Sequence, residues 1–110
     1  EYKRYLINHP KNCPKKFIEK RATQMLFRLI EGEGKALYLF GVDDNGDIRE
    51  MNKKELDNTI YSLKKIVLSI SAKIKKLRIY TGGNGFICTA RIILPKIILN
   101  NIMESINLQE

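Results

Sequence analysis

A chain of 110 residues with 44% hydrophobic side chains holds one core of ordinary size, which excludes both a multidomain assembly and a disordered chain. Its net charge of +8 favours nucleic acid or an anionic surface as partner. A compositional origin competes with that reading, because lysine outnumbers arginine 14 to 6, as in AT-rich coding sequence, and surplus charge also serves solubility alone.

Cys13 and Cys88 stand far apart with no C-x-x-C pairing, which fits reduced thiols in a cytoplasmic protein better than a disulfide framework. No apolar run approaches the ~18 residues of a membrane span, and no signal pattern opens the chain. The expectation is a soluble protein, monomeric, with no membrane partner. Because the chain opens on Glu1 rather than Met, it is expected to be a piece of a longer protein.

In chain order, Tyr2 to Ile7 alternate and predict a first strand, closed by Asn8-His9-Pro10. Residues 8–14 read as a loop. Ile18, Ala22, Met25, Leu26 and Leu29 fall on one helical face and predict a helix over 15–31, with Arg21, Gln24 and Arg28 on another stripe. Gly32 and Gly34 stand where that pattern stops, since a helix ends most readily on a residue that tolerates positive φ.

Ala36 to Val42 follow as a strand, apolar on both pleat faces over Ala36 to Phe40, which predicts a central, covered strand. Asn45-Gly46 predicts a two-residue hairpin turn, with Ile48 and Met51 on a returning strand. Asn52 and Glu55 have capping-box spacing ahead of a helix over 53–71, whose stripe is Leu56, Ile60, Leu63, Val67 and Ile70.

Lys75 to Tyr80 alternate with Leu77 and Ile79 on one face and Lys76, Arg78 and Tyr80 on the other. Phe86 to Ile93 answer antiparallel across the glycine-rich residues 81–85. After Pro95, Ile98, Ile102 and Ile106 predict a third helix over 96–107. The fold class expected is α+β, a split β-α-β-like mixed or antiparallel sheet with two helices on one face, in the order β-α-β-β-α-β-β plus a short C-terminal helix. Residues 1–95 form the body, and 96–110 a helix or linker. The core is expected to centre on Leu26, Leu29, Tyr38, Phe40, Leu63 and Val67.

Catalytic and metal motifs are missing. Glu31-Gly32-Glu33-Gly34-Lys35-Ala36 follows a helix and precedes a strand, the reverse of a phosphate loop, and Ala36 stands where the magnesium-binding hydroxyl belongs. Asp43, Asn45 and Asp47 start like a calcium loop, but Ile48 and Lys54 occupy its sixth and twelfth places. His9, Cys13 and Cys88 lack a fourth zinc ligand and match no common spacing. No residues suggest a catalytic site in this segment, and no cofactor is expected in it. One site candidate remains, a basic face of Lys76, Arg78 and Tyr80 with Arg91 on the partner strand, assisted by Arg21 or Arg28, for a phosphate backbone or a stackable base.

Thr23-Gln24-Met25, Arg28-Leu29, Glu31-Gly32, Gly34, Ala36, Tyr38, Gly41-Val42, Asp44 and Gly46 resemble the N-terminal region of the GTP-binding protein one/two family. Glu1-Tyr2-Lys3, Leu6 and Asn8 are similar to its start. These are translational GTPases related to elongation factor Tu and elongation factor one-alpha, and the resemblance covers about the first eighty residues. It implies an N-terminal accessory domain, with a GTPase domain following in the full-length protein, which would bind GTP and magnesium and hydrolyse GTP. The implied partners are that GTPase domain and the ribosome or transfer RNA. A protein-binding module without nucleic-acid contact, docking through the first and last helices, is the other reading.

Overall fold

The computed structural model describes residues 2–3 and 14–109. The elements are β1 Tyr2–Lys3, α1 Pro14–Glu31, β2 Lys35–Phe40, α2 Lys53–Ser69, β3 Lys73–Thr81, β4 Phe86–Ile93 and α3 Lys96–Gln109. The class is α+β, as the sequence predicts. A four-stranded sheet runs in the order β1-β2-β4-β3, with β1 parallel to β2 and the other neighbours antiparallel. The rest of the expected first strand and the loop carrying His9 and Cys13 lie outside the described residues.

The apolar stripes of α1 and α2 both close on one sheet face. Ala22, Met25 and Leu29 of α1 meet Leu56, Leu63, Ile66 and Val67 of α2 above Tyr38 and Phe40 of β2 and Cys88, Ala90 and Ile92 of β4. Directly opposed residues of antiparallel strands share a face, and the pairs Tyr38 with Ala90 and Phe40 with Cys88 confirm that these belong to the inner one. Tyr38 and Phe40 also stack, with ring centroids 5.9 Å apart. All six residues expected at the core's centre are in this cluster, Leu26 at its edge.

Helix ends follow local chemistry. At the start of α2, the Asn52 side chain accepts from the Glu55 N–H (2.8 Å) and the Glu55 carboxylate accepts from the Asn52 N–H (3.0 Å), the reciprocal box its spacing predicts. α1 ends with the Gly34 N–H donating to the Leu29 carbonyl and the Glu33 N–H to the Ile30 carbonyl. α2 ends the same way, with Ala72 donating to Val67 and Ser71 to Leu68. These are Schellman closures. The left-handed residues are Glu33 (φ 56°) and Ser71 (φ 57°), with Gly34 at 94°. Gly32 does not take positive φ, contrary to its expected role; a Cβ there would run into the Lys35 carbonyl, so close approach is its constraint.

The turn after β2 also differs from expectation. Only Gly46 takes positive φ (91°) and Asn45 does not. The Gly46 N–H donates to the Asp43 carbonyl and the Asp43 N–H to the Asp47 carbonyl, the pattern of a longer hairpin loop that needs one left-handed residue where the type I′ two-residue turn suited to Asn-Gly needs two. The Asn45 side chain takes up the Asp47 N–H (3.0 Å) and Asp43 pairs with Arg49 (2.8 Å). The returning arm forms two isolated bridges, Val42 with Ile48 and Met51 with Phe86, rather than a ladder.

α3 leaves the end of β4 through Leu94, whose N–H donates to the Gly34 carbonyl (2.8 Å). Ile98, Leu99 and Ile102 pack against the edge of the core, whereas Ile97 is 68% exposed.

Candidate nucleic-acid interface

The second face of the sheet carries no helix among the described residues. β2 is central, as predicted, but covered on one side only, so Leu37 is 46% exposed. The run Ala36 to Phe40 is apolar on both faces, and apolar character alone does not specify a covering layer.

Pairing fixes which side chains share this outer face. Lys76 stands opposite Arg91, which stands opposite Leu37; Arg78 stands opposite Thr89, and Tyr80 opposite Ile87. Two residues further along β4, and so on the same face as Arg91, Ile93 is flanked by Lys73 and Lys35. The outer face therefore presents Lys35, Lys73, Lys76, Arg78 and Arg91. No residue of β2, β3 or β4 is acidic, and among the described residues no ion pair neutralises these five.

A β-bulge makes the alignment. Ile74 pairs with Ile92 and Lys76 with Arg91, so Lys75 is the extra residue of β3. Without a bulge, strict alternation would set Lys73 and Lys76 on opposite faces. With it, Lys73, Lys76, Arg78 and Tyr80 share one side, and Ile74, Leu77 and Ile79 the other.

Leu37, Lys76, Arg78, Tyr80, Thr89 and Arg91 together line a depression of about 220 Å³. That is smaller than the roughly 300–1,000 Å³ of sites that engulf a small ligand. Its chemistry is a cationic rim around an aromatic ring, a hydroxyl and an aliphatic floor, suited to a surface-running anion with flat groups.

All four strand residues expected of the basic face, Lys76, Arg78, Tyr80 and Arg91, line this depression. Arg21 and Arg28 do not join them. Both belong to α1, in the helix layer on the other side of the sheet: Arg21 lies over the Phe17 ring (5.4 Å) and donates to the Gln24 side chain (3.2 Å), and Arg28 pairs with Glu31 (4.0 Å). Sequence reading missed Leu37, Thr89, Lys35 and Lys73. Thr89 could have been found from the alternation of β4, two residues before Arg91.

Elsewhere, a depression of about 320 Å³ along α3 is lined by Ile98, Asn101, Ile102, Ser105 and Ile106 and carries no charged side chain. Among the described residues, no group of three or more His, Cys, Asp or Glu side chains is placed to hold a metal ion. Cys88 is buried under the helices, and burial pushes its thiol pKa up to about 11, the opposite of an activated nucleophile. No helix of the described residues is long and apolar enough to cross a membrane.

Comparison with known proteins finds 35% identity over 79 residues with GTP-binding protein 2 of Mus musculus and with GTP-binding protein 2 of Homo sapiens. The match takes in 71% of this chain and 12% of either relative. No family model and no solved structure matches the chain.

Proposed function

We propose that this chain is an accessory segment of a larger, elongation-factor-related GTP-binding protein of the cytoplasm, and that it positions that protein on ribosomal or transfer RNA through the outer face of its sheet. The similarity to GTP-binding protein 2 supports the GTP-binding context. In that context GTP and magnesium belong to a GTPase domain elsewhere in the full-length protein. The phosphate-loop chemistry is missing from residues 31–36, so this segment's part in the reaction is placement.

The observation that carries the RNA reading is the outer face itself: five cations on three adjacent strands with no acid among them. Scattered solubilising charge would intermix signs. The test is binding of transfer RNA and ribosomal RNA fragments to the monomeric chain as salt is varied. Log affinity should fall with log salt at a slope near −0.7 for each phosphate contacted on single-stranded regions. Changing Arg78 and Arg91 together to glutamate should abolish most of the binding, and changing Lys64 and Lys65 of α2 should matter less. Equal losses from both pairs, or no salt-dependent binding, would reject this reading.

A protein-docking role is the second reading, favoured by α3, where Ile97, Met103 and Ile106 are 68%, 41% and 42% exposed. In that case α3 and α1 would pack against the GTPase core.

A further inference from the structure

Resting on the reading of the outer face as an RNA contact, we infer that this face selects unpaired RNA: one base stacks on Tyr80 while its neighbouring phosphate sits between Lys76 and Arg91. The cations alone do not separate single strands from duplexes, since both present phosphates. The floor of the depression does. Tyr80 is 48% exposed and shares the depression with Leu37 and Thr89. A duplex buries the faces of its bases in its own stack, so an exposed ring and an aliphatic floor gain nothing from it, whereas an unpaired base offers a π-face to the ring.

The polar groups have matching tasks. Lys76 and Arg91 occupy directly opposed positions, where like charges repel. An anion between them turns that repulsion into two attractions. Arg78 lies two residues along β3 from each of Lys76 and Tyr80, on the same face, within reach of a second phosphate or of the stacked base. The Thr89 hydroxyl has no hydrogen-bond partner among the described residues, and it is available to the 2′-hydroxyl or base edge that marks RNA. An extended acidic peptide would satisfy the cations but would leave Tyr80 without a stacking partner.

The test uses the full chain and three probes at one fixed salt concentration: a labelled short oligoadenylate, a labelled RNA duplex of similar length, and polyglutamate as competitor. Fluorescence anisotropy should show the single strand bound more tightly than the duplex. Tyr80→Leu should weaken single-strand binding by roughly tenfold, the loss of one base–aromatic stack, and leave duplex binding unchanged. Tyr80→Phe should keep the wild-type affinity. Lys76→Gln and Arg91→Gln should weaken both nucleic acids. If single strand and duplex bind equally, or Tyr80→Leu weakens neither or both alike, the stacking inference is wrong while the RNA reading stands. If neither nucleic acid binds, both fall. Displacement by polyglutamate as effective as by unlabelled oligoadenylate would assign the face to acidic peptides instead. Should Tyr80→Leu fail to fold, the single-strand preference of the unaltered chain decides alone.

Discussion

Lys76 and Arg91 stand directly opposite each other on neighbouring antiparallel strands, with Leu37 as the next residue across the sheet. Two cations at such a position destabilise the strand pair, so the arrangement costs stability that an anion bound between them would return. Lys76→Glu should replace repulsion by attraction and stabilise the free protein by about 0.2–1 kcal/mol. Denaturant melts at low ionic strength would show it, and the gain should shrink as salt screens the pair. The same variant should bind RNA worse, so stability and binding would move in opposite directions.

Leu29 and Leu63 are fully buried where α1 and α2 meet the inner sheet face. Replacing either with alanine should cost about 2–5 kcal/mol, from lost transfer energy and from the cavity left behind. Urea melts in which both variants match the wild-type midpoint would contradict the packing described.

The Met51 and Phe86 backbones exchange reciprocal hydrogen bonds of 2.8 Å, which clip the segment before α2 onto the β3–β4 turn. A Cβ at Gly85 would collide with the Met51 carbonyl. Gly85→Ala should therefore break the clip and destabilise the fold by about 1–3 kcal/mol. Amide exchange at Met51 and Phe86 should accelerate more than at Leu63. Protection unchanged at both amides would show that the turn relaxes around the methyl.

Burial raises the Cys88 thiol pKa to about 11, above its value in an unfolded chain. The folded state thus favours the neutral thiol, and its contribution is complete below the unfolded pKa and lost as pH rises from about 9 to about 11. Compared with Cys88→Ala, the wild type should lose stability more steeply across that window. The native thiol should also resist alkylation at neutral pH; rapid labelling of Cys88 in the folded protein would contradict its burial.

The segment should not bind GTP specifically, since residues 31–36 run from helix to strand and carry no magnesium-binding hydroxyl. Titration with a fluorescent GTP analogue checks this, and saturable micromolar binding displaced by GTP would refute it.

The sequence carried the helices and the basic strand for different physical reasons. Helical stripes such as Leu56 to Val67 repeat over several turns, so their inner face can be read directly. β3 alternates cleanly from Lys76 onward, so the sequence alone groups Lys76, Arg78 and Tyr80 on one face. Strict alternation does not add Lys73, because the doubled Lys75-Lys76 interrupts it; only the pairing with β4 shows that interruption to be a bulge that returns Lys73 to the same side. Leu37 was hidden by its neighbours: a run apolar on both sides gives no hint that one side stays open. Arg21 and Arg28 lie in the helix layer, apart from the strand cations, and charge alone does not tell which layer an arginine occupies.

The bulge at Lys75 also gives the strand a spare letter. Removing one residue from a strand normally turns everything beyond it inside out, yet here Lys73, Ile74, Lys76 and Leu77 already alternate without Lys75. Because positions 75 and 76 are both lysine, loss of either codon yields the same shortened chain, with its cations and its core side chains still on their proper sides. β3 is therefore a strand that can absorb a one-codon deletion at this point, and at this point only the twist, not the chemistry of the face, would change.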